Sequence, residues 1–184
     1  MTRVPLIDPA TAGTPAAELL TATKRAMGVI PNTTKAMANS PAALKGFLGL
    51  LDALKEGALP AALRERIALA VAEINGCAFC LSAHTYVARN VIKLDEEEIT
   101  AARLGRSADP KAAAVLDLAV AITNNNGQVG DNQFTAAREA GLTDEEIVEV
   151  IANVAYNIFA NYINEALDVD LELPVVAALS PAAV

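Results

Sequence analysis

Helix punctuation recurs along this chain at intervals of ten to twenty residues, and it constrains the fold more than any other feature. Thr14-Pro15 pairs an N-cap residue with proline at the first helical position, and Ser40-Pro41 and Asp109-Pro110 repeat the signal. Thr143 followed three residues later by Glu146 makes a capping box, and Asp95 with Glu98 resembles another. Gly28, Gly57 and Gly141 follow the last residues of periodic stretches, where a helix ends. Between these marks, apolar residues recur at helical spacing, as in Leu44, Phe47, Leu48, Leu51 and Leu54.

The spacing predicts helices over about 14–27, 42–56, 61–74, 77–92, 95–103, 110–123, 132–140 (capped by Asp131) and 143–167. No alternating run rich in Val, Ile and Thr lies between turns, so the predicted class is all-α, a compact multi-helix domain. Residues 1–57 read as an N-terminal arm and helical extension, 58–170 as the main domain, and 171–184 as a loose tail. A chain of 184 residues buries roughly 70% of its unfolded surface, so stability needs neither disulfide nor metal.

Hydrophobic residues make up 53% of the chain, many of them alanine, and aromatics only 4%. The core is therefore expected to be close-packed helices joined through small side chains. The formal charge of −8, from 22 acidic and 14 basic residues, disfavours nucleic acid, because phosphate binding needs a basic face. It equally disfavours anionic membrane surfaces. The first residues lack the pattern of a signal peptide, and no apolar stretch is long enough to span a membrane. The expectation is a cytoplasmic protein, in which two close cysteines serve chemistry rather than a structural clamp.

Those cysteines lie in Cys77-Ala78-Phe79-Cys80-Leu81-Ser82-Ala83-His84. On one helix, positions 77, 80 and 84 fall within an arc of roughly 60°. Two thiols and the chain's one histidine thus share a face. Cys77, at the helix N-terminus, is expected to be acidified by free amides and the macrodipole. His84, one turn beyond Cys80, can acidify Cys80 or carry its proton. A sulfenic acid on one thiol needs the other close by to resolve it.

The residues alone leave three readings: a redox dithiol, a zinc site with Cys77, Cys80, His84 and Glu65 as ligands, or buried small residues beside a core histidine. No second CxxC supplies the other knuckle of a structural zinc site. Glu65 and Glu73 both precede the cysteines on the preceding helix, and spacing does not rank them. Asn153, Asn157, Asn161 and Asn164 share roughly an 80° arc of the last helix. They read either as a solvent stripe or as a polar seam at a subunit interface or beside the active site. Tyr86 faces away from the thiols and reads as packing.

The pattern Glu65-x11-Cys77-x2-Cys80-x3-His84, with Asn75-Gly76 before the first cysteine, resembles the alkylhydroperoxidase D-like, carboxymuconolactone decarboxylase superfamily. The likeness is tight over residues 60–90 and looser out to about 167. It implies a peroxidase that reduces alkyl hydroperoxides through a dithiol/disulfide cycle. Cys80 would be the peroxidatic nucleophile, Cys77 the resolving thiol, and His84 with Glu65 a proton relay. It further implies no cofactor or metal, reduction by a lipoyl domain or another dithiol, and a homo-oligomer, trimer or hexamer. Phe79 stands where the prototypic peroxidase has a second histidine. The decarboxylase branch lacks the cysteine pair, so Cys77 and Cys80 argue against lactone decarboxylation. The alternatives are a metal-binding or redox-sensing helical oligomer without turnover, or a cofactor-independent lyase with a vestigial dithiol.

Overall fold

The computed structural model describes residues 1–179. Among them lie nine α-helices and no strand: α1 (Thr14–Met27), α2 (Asn32–Met37), α3 (Pro41–Lys55), α4 (Ala61–Ile74), α5 (Ala78–Val87), α6 (Glu96–Arg103), α7 (Pro110–Asn124), α8 (Asp131–Glu139) and α9 (Asp144–Leu167). A π-helical turn, Ala88–Ile92, continues α5. The all-α expectation holds, because caps and periodicity agree. Ser40, Asp95, Asp109 and Thr143 each accept a backbone N–H at the start of their helices.

Four details differ from the sequence reading. The helix α2 has no counterpart in it: its six residues include two β-branched threonines and carry no apolar periodicity. The α-helical hydrogen bonding of α5 gives way to the π-turn, and Lys93 ends it in a left-handed conformation. Asp131 lies inside α8, whose N-cap is Gly130, with the Gly130 N–H donating to Gln133 Oε1. Tyr86 is half-exposed and does not pack.

The helix α4 packs against α5, α6, α7 and α9. Its sequence explains the position: Leu63, Ile67, Leu69 and Val71 with Ala68, Ala70 and Ala72 bury nearly every face. One core cluster joins α4 to α7, α8 and α9 through Ile67, Val71, Val115, Leu118, Ala137, Val150 and Val154. A second gathers α1, α2 and α3 onto α9 through Leu20, Met37, Leu44, Phe47, Leu48 and Ala160. A third, rich in alanine, draws α6 and the π-turn against α4 through Leu69, Ala70, Ala88, Ile99 and Ala102. Alanine at these contacts lets the backbones approach closely.

The last described segment is not loose. Val176 N–H donates to Ser82 Oγ at 2.8 Å, Arg103 donates to Ala177 O at 2.7 Å, and Leu179 N–H donates to the Glu73 carboxylate. Residues 180–184 of the expected tail lie outside the described residues. No described helix is long and apolar enough to cross a membrane.

Candidate active site

The turn between α4 and α5 builds the site. Gly76, at φ +66°, takes a left-handed conformation that residues with a side chain rarely adopt, and this reverses the chain into Cys77. Cys77 is the N-cap of α5, and its sulfur accepts the Cys80 N–H at 3.3 Å, where a serine or aspartate oxygen is more usual. Capping and one helical step bring Cys77 Sγ to 2.7 Å from Cys80 Sγ, with both cysteines free.

The two sulfurs differ in charge. Cys80 is lowered to about 7, first by the hydrogen bond from Cys77, against the opposing effect of burial, and then by His84, Asn164 and Asn161. Cys77 is pushed far up, by that same bond to Cys80, by burial and by the charge on its neighbour. The expectation from the helix N-terminus is thus reversed. The amide that caps Cys77 does lower it, but a dithiol sharing one proton carries one negative charge, and the surrounding donors draw it to Cys80.

Glu65, on α4, bonds His84 Nδ1 through Oε1 at 2.8 Å. Burial alone depresses the imidazole, but the charge and hydrogen bond of Glu65, with a smaller contribution from Cys80, raise it overall. Glu73 takes another role: its buried carboxylate pairs with Arg103 Nε at 2.8 Å. The structure therefore brings together all four sequence-predicted residues, Cys77, Cys80, His84 and Glu65, and separates out Glu73. With Glu65 bound to His84, the zinc reading loses its fourth ligand, and among the described residues no group of three or more His, Cys, Asp or Glu is arranged to hold a metal.

The asparagine stripe is a buried seam and not a solvent face. Asn164 Nδ2 donates to Cys80 Sγ at 3.1 Å, and Asn161 Oδ1 accepts from Asn75 Nδ2 at 2.8 Å. Three residues near the site escape a reading of the sequence. Asn75 reads as a helix breaker, Thr33 sits on the short α2, and Tyr156 carries no local signal. Tyr156 stacks on Phe47 at 4.6 Å between ring centroids, and its phenol is raised by burial and by the nearby charges of Glu65 and Cys80.

Access is uneven. Cys77 is 0% and Cys80 3% exposed, with Phe79 and Val176 packed against them. The His84 side chain, by contrast, is 25% exposed and that of Glu65 12%. Protons have a way to solvent where the sulfurs are sealed.

The carboxymuconolactone decarboxylase family model matches residues 41–116 and 100–171, most of the chain. The chain belongs to the carboxymuconolactone decarboxylase family. A peroxidase-related protein from Ralstonia eutropha JMP134 with the alkylhydroperoxidase AhpD core is 26% identical, with a TM-score of 0.81 over 93% of this chain and 92% of that one. Another peroxidase-related protein, from Silicibacter sp. TM1040, is 22% identical, with a TM-score of 0.79 over 92% and 91%. The debrominase Bmp8 shares the fold at 22% identity, with a TM-score of 0.72 over 85% and 86%. No curated protein matches the chain. Proteins that share the fold of this family member thus include some tied to peroxidase chemistry and one tied to debromination, and the dithiol geometry must carry any finer assignment.

Proposed function

We propose that this family member is a thiol-dependent peroxidase that reduces alkyl hydroperoxides through a Cys77–Cys80 dithiol/disulfide cycle. The observation that carries the reading is the dithiol geometry: the Cys77 and Cys80 sulfurs lie 2.7 Å apart, surrounding donors lower Cys80 to about 7, and His84 is paired to Glu65. The Cys80 thiolate attacks the outer oxygen of ROOH. The O–O bond breaks, and the alkoxide leaves with a proton from the His84 imidazolium as ROH. Cys80 is left as a sulfenic acid. The Cys77 sulfur then attacks Cys80 sulfur, its proton joins the departing hydroxide, and water and a disulfide remain. Two electrons have passed from the dithiol to the peroxide. An external dithiol, such as a lipoyl domain, returns them by disulfide exchange.

In this scheme the buried sulfurs are reached by a displacement of the Val176 segment or of Phe79, both packed against the cysteine cluster. For assembly, the exposed Val148, Ile151, Phe159 and Tyr162 on α9 suit a second copy of the chain in a cytoplasmic homo-oligomer.

Intact-mass measurement with thiol alkylation, before and after an organic hydroperoxide, tests the proposal. The expected product has lost two hydrogens and takes up no alkylating reagent. Cys77→Ser is expected to stop at a sulfenic acid, and Cys80→Ser to consume nothing. Two thiols still alkylatable after peroxide exposure would sink the reading. A bromopyrrole arm belongs in the same experiment: bromide release without peroxide consumption would replace the peroxidase by a reductive dehalogenase using the same dithiol.

A further inference from the structure

We infer that Asn164, turned by Thr33, is the amide that anchors the Cys80 thiolate, so that α2 of the N-terminal region is a working part of the redox site. The inference rests on the dithiol reading above and adds to it two residues from outside the CxxCxxxH stretch.

Asn164 is buried on α9, a position where an amide is costly unless both its ends are bonded. Both ends are. Its Oδ1 accepts from Thr33 Oγ1 at 2.6 Å, and its Nδ2 donates to Cys80 Sγ at 3.1 Å. One side chain thus spans α2 and α5. Were the amide turned over, its carbonyl would face the sulfur, and a thiolate would meet an acceptor. With the amine inward, the thiolate meets a donor, and the Thr33 hydroxyl bonded to the carbonyl polarises the amide and strengthens that donor.

Asn161 follows the same plan one turn earlier. Its carbonyl is occupied by Asn75, and its Nδ2, free of a partner among the described residues, adds a weaker pull on Cys80. Both seam amides draw charge to Cys80, and neither bonds Cys77. The seam thereby adds to the Cys77 hydrogen bond and to His84 in favouring Cys80 as the nucleophile, where capping alone would favour Cys77. Thr33 is itself held in place by its neighbour. Asn32 Nδ2 donates to Asp170 O at 2.9 Å, and Asn32 N–H donates to the Glu172 carboxylate at 2.8 Å, fixing α2 to the segment after α9.

Thr33 is a positioning residue, since it acts on the sulfur through Asn164. The test is the ultraviolet titration of the thiolate in the reduced full chain, with the Cys77→Ser/Cys80→Ser variant as blank. Asn164→Leu is expected to raise the first ionisation midpoint by about one to two pH units, leaving about ten- to a hundredfold less thiolate near neutrality. Thr33→Val is expected to move it in the same direction by less, and Thr33→Ser, which keeps the hydroxyl, to restore the native midpoint. Circular dichroism checks folding, and if Asn164→Leu fails to fold, Thr33→Val decides. A midpoint unmoved in folded Asn164→Leu or in Thr33→Val overturns the inference, as does a Thr33→Ser shift equal to that of Thr33→Val. The readout does not involve turnover. A native chain that leaves hydroperoxide untouched sinks the peroxidase and not the anchor.

Discussion

Two carboxylates on α4, eight residues apart, meet different partners. Glu73 is buried to 1% exposure and meets a permanent cation, Arg103, and the Leu179 N–H from the C-terminal segment. Glu65 meets an imidazole that stays partly open to solvent. A carboxylate paired with a guanidinium, a permanent cation, holds two segments together. A carboxylate paired with an imidazole tunes a group that can gain and lose a proton at working pH. One region therefore stabilises the fold over the thiols, and the other serves them.

The largest expected effect separates the two regions by activity. Glu65→Gln is expected to cut hydroperoxide consumption by about 10²- to 10⁴-fold, the range for loss of a positioned proton relay, with little change in melting temperature at alkaline pH. A Glu65→Gln enzyme with native kcat/KM would break the comparison. Glu73→Gln is expected to show the reverse. Breaking a buried pair costs about 3 kcal/mol, roughly 10 °C in Tm for a chain of this size, while the intrinsic thiol chemistry persists. Calorimetry beside the same peroxide assay distinguishes the two outcomes.

The third expectation sharpens the role of Glu65. Because His84 is the one histidine, its ring proton gives a single histidine signal in NMR. The native imidazole is expected to titrate above its ordinary 6.5, and in Glu65→Gln lower than in the native protein, since burial is then opposed only by the smaller contribution of Cys80. The sign for stability follows. A group raised on folding stabilises fully below its unfolded pKa, and that contribution is lost as pH rises through the higher folded value. The stability gap between native and Glu65→Gln should therefore shrink on going from acid to alkaline pH across that window. The smallest effect concerns the Glu73 region's cover. Ser82→Ala removes the acceptor of the Val176 N–H and should raise the alkylation rate of the reduced thiols by a few fold, roughly the loss of one net hydrogen bond of about 1 kcal/mol. An unchanged rate would move the entry route away from this segment.

Much of the molecule is legible in order along the chain. Ser40, Asp95, Asp109 and Thr143 announce helices because a cap is a contact between residues three apart. The dithiol and its histidine are legible for a similar reason, since all three lie within about two turns along α5. What escapes is short or bonded at a distance. The helix α2 has no period to detect in six residues and exists because α9 receives it. The segment around Val176 has no secondary structure, yet its backbone is tied to Ser82 and Glu73.

By itself the sequence determined the helical class, the boundaries of most helices and the family, and it named Glu65, Cys77, Cys80 and His84 as the candidate residues. Where the residues alone left a choice that only the resemblance made, the tertiary structure shows Glu65 bonded to the imidazole and the donors that lower Cys80, and it turns the asparagines of α9 into a buried seam against sulfur. The reason is physical. Charge on a buried dithiol is set by every group that reaches it, and beside the local Cys77 and His84 some of those groups are remote in sequence. Glu65 and His84 are 19 residues apart, Cys80 and Asn164 84, and Thr33 and Asn164 131. Local periodicity carries no information about pairs so far apart until packing brings them into contact.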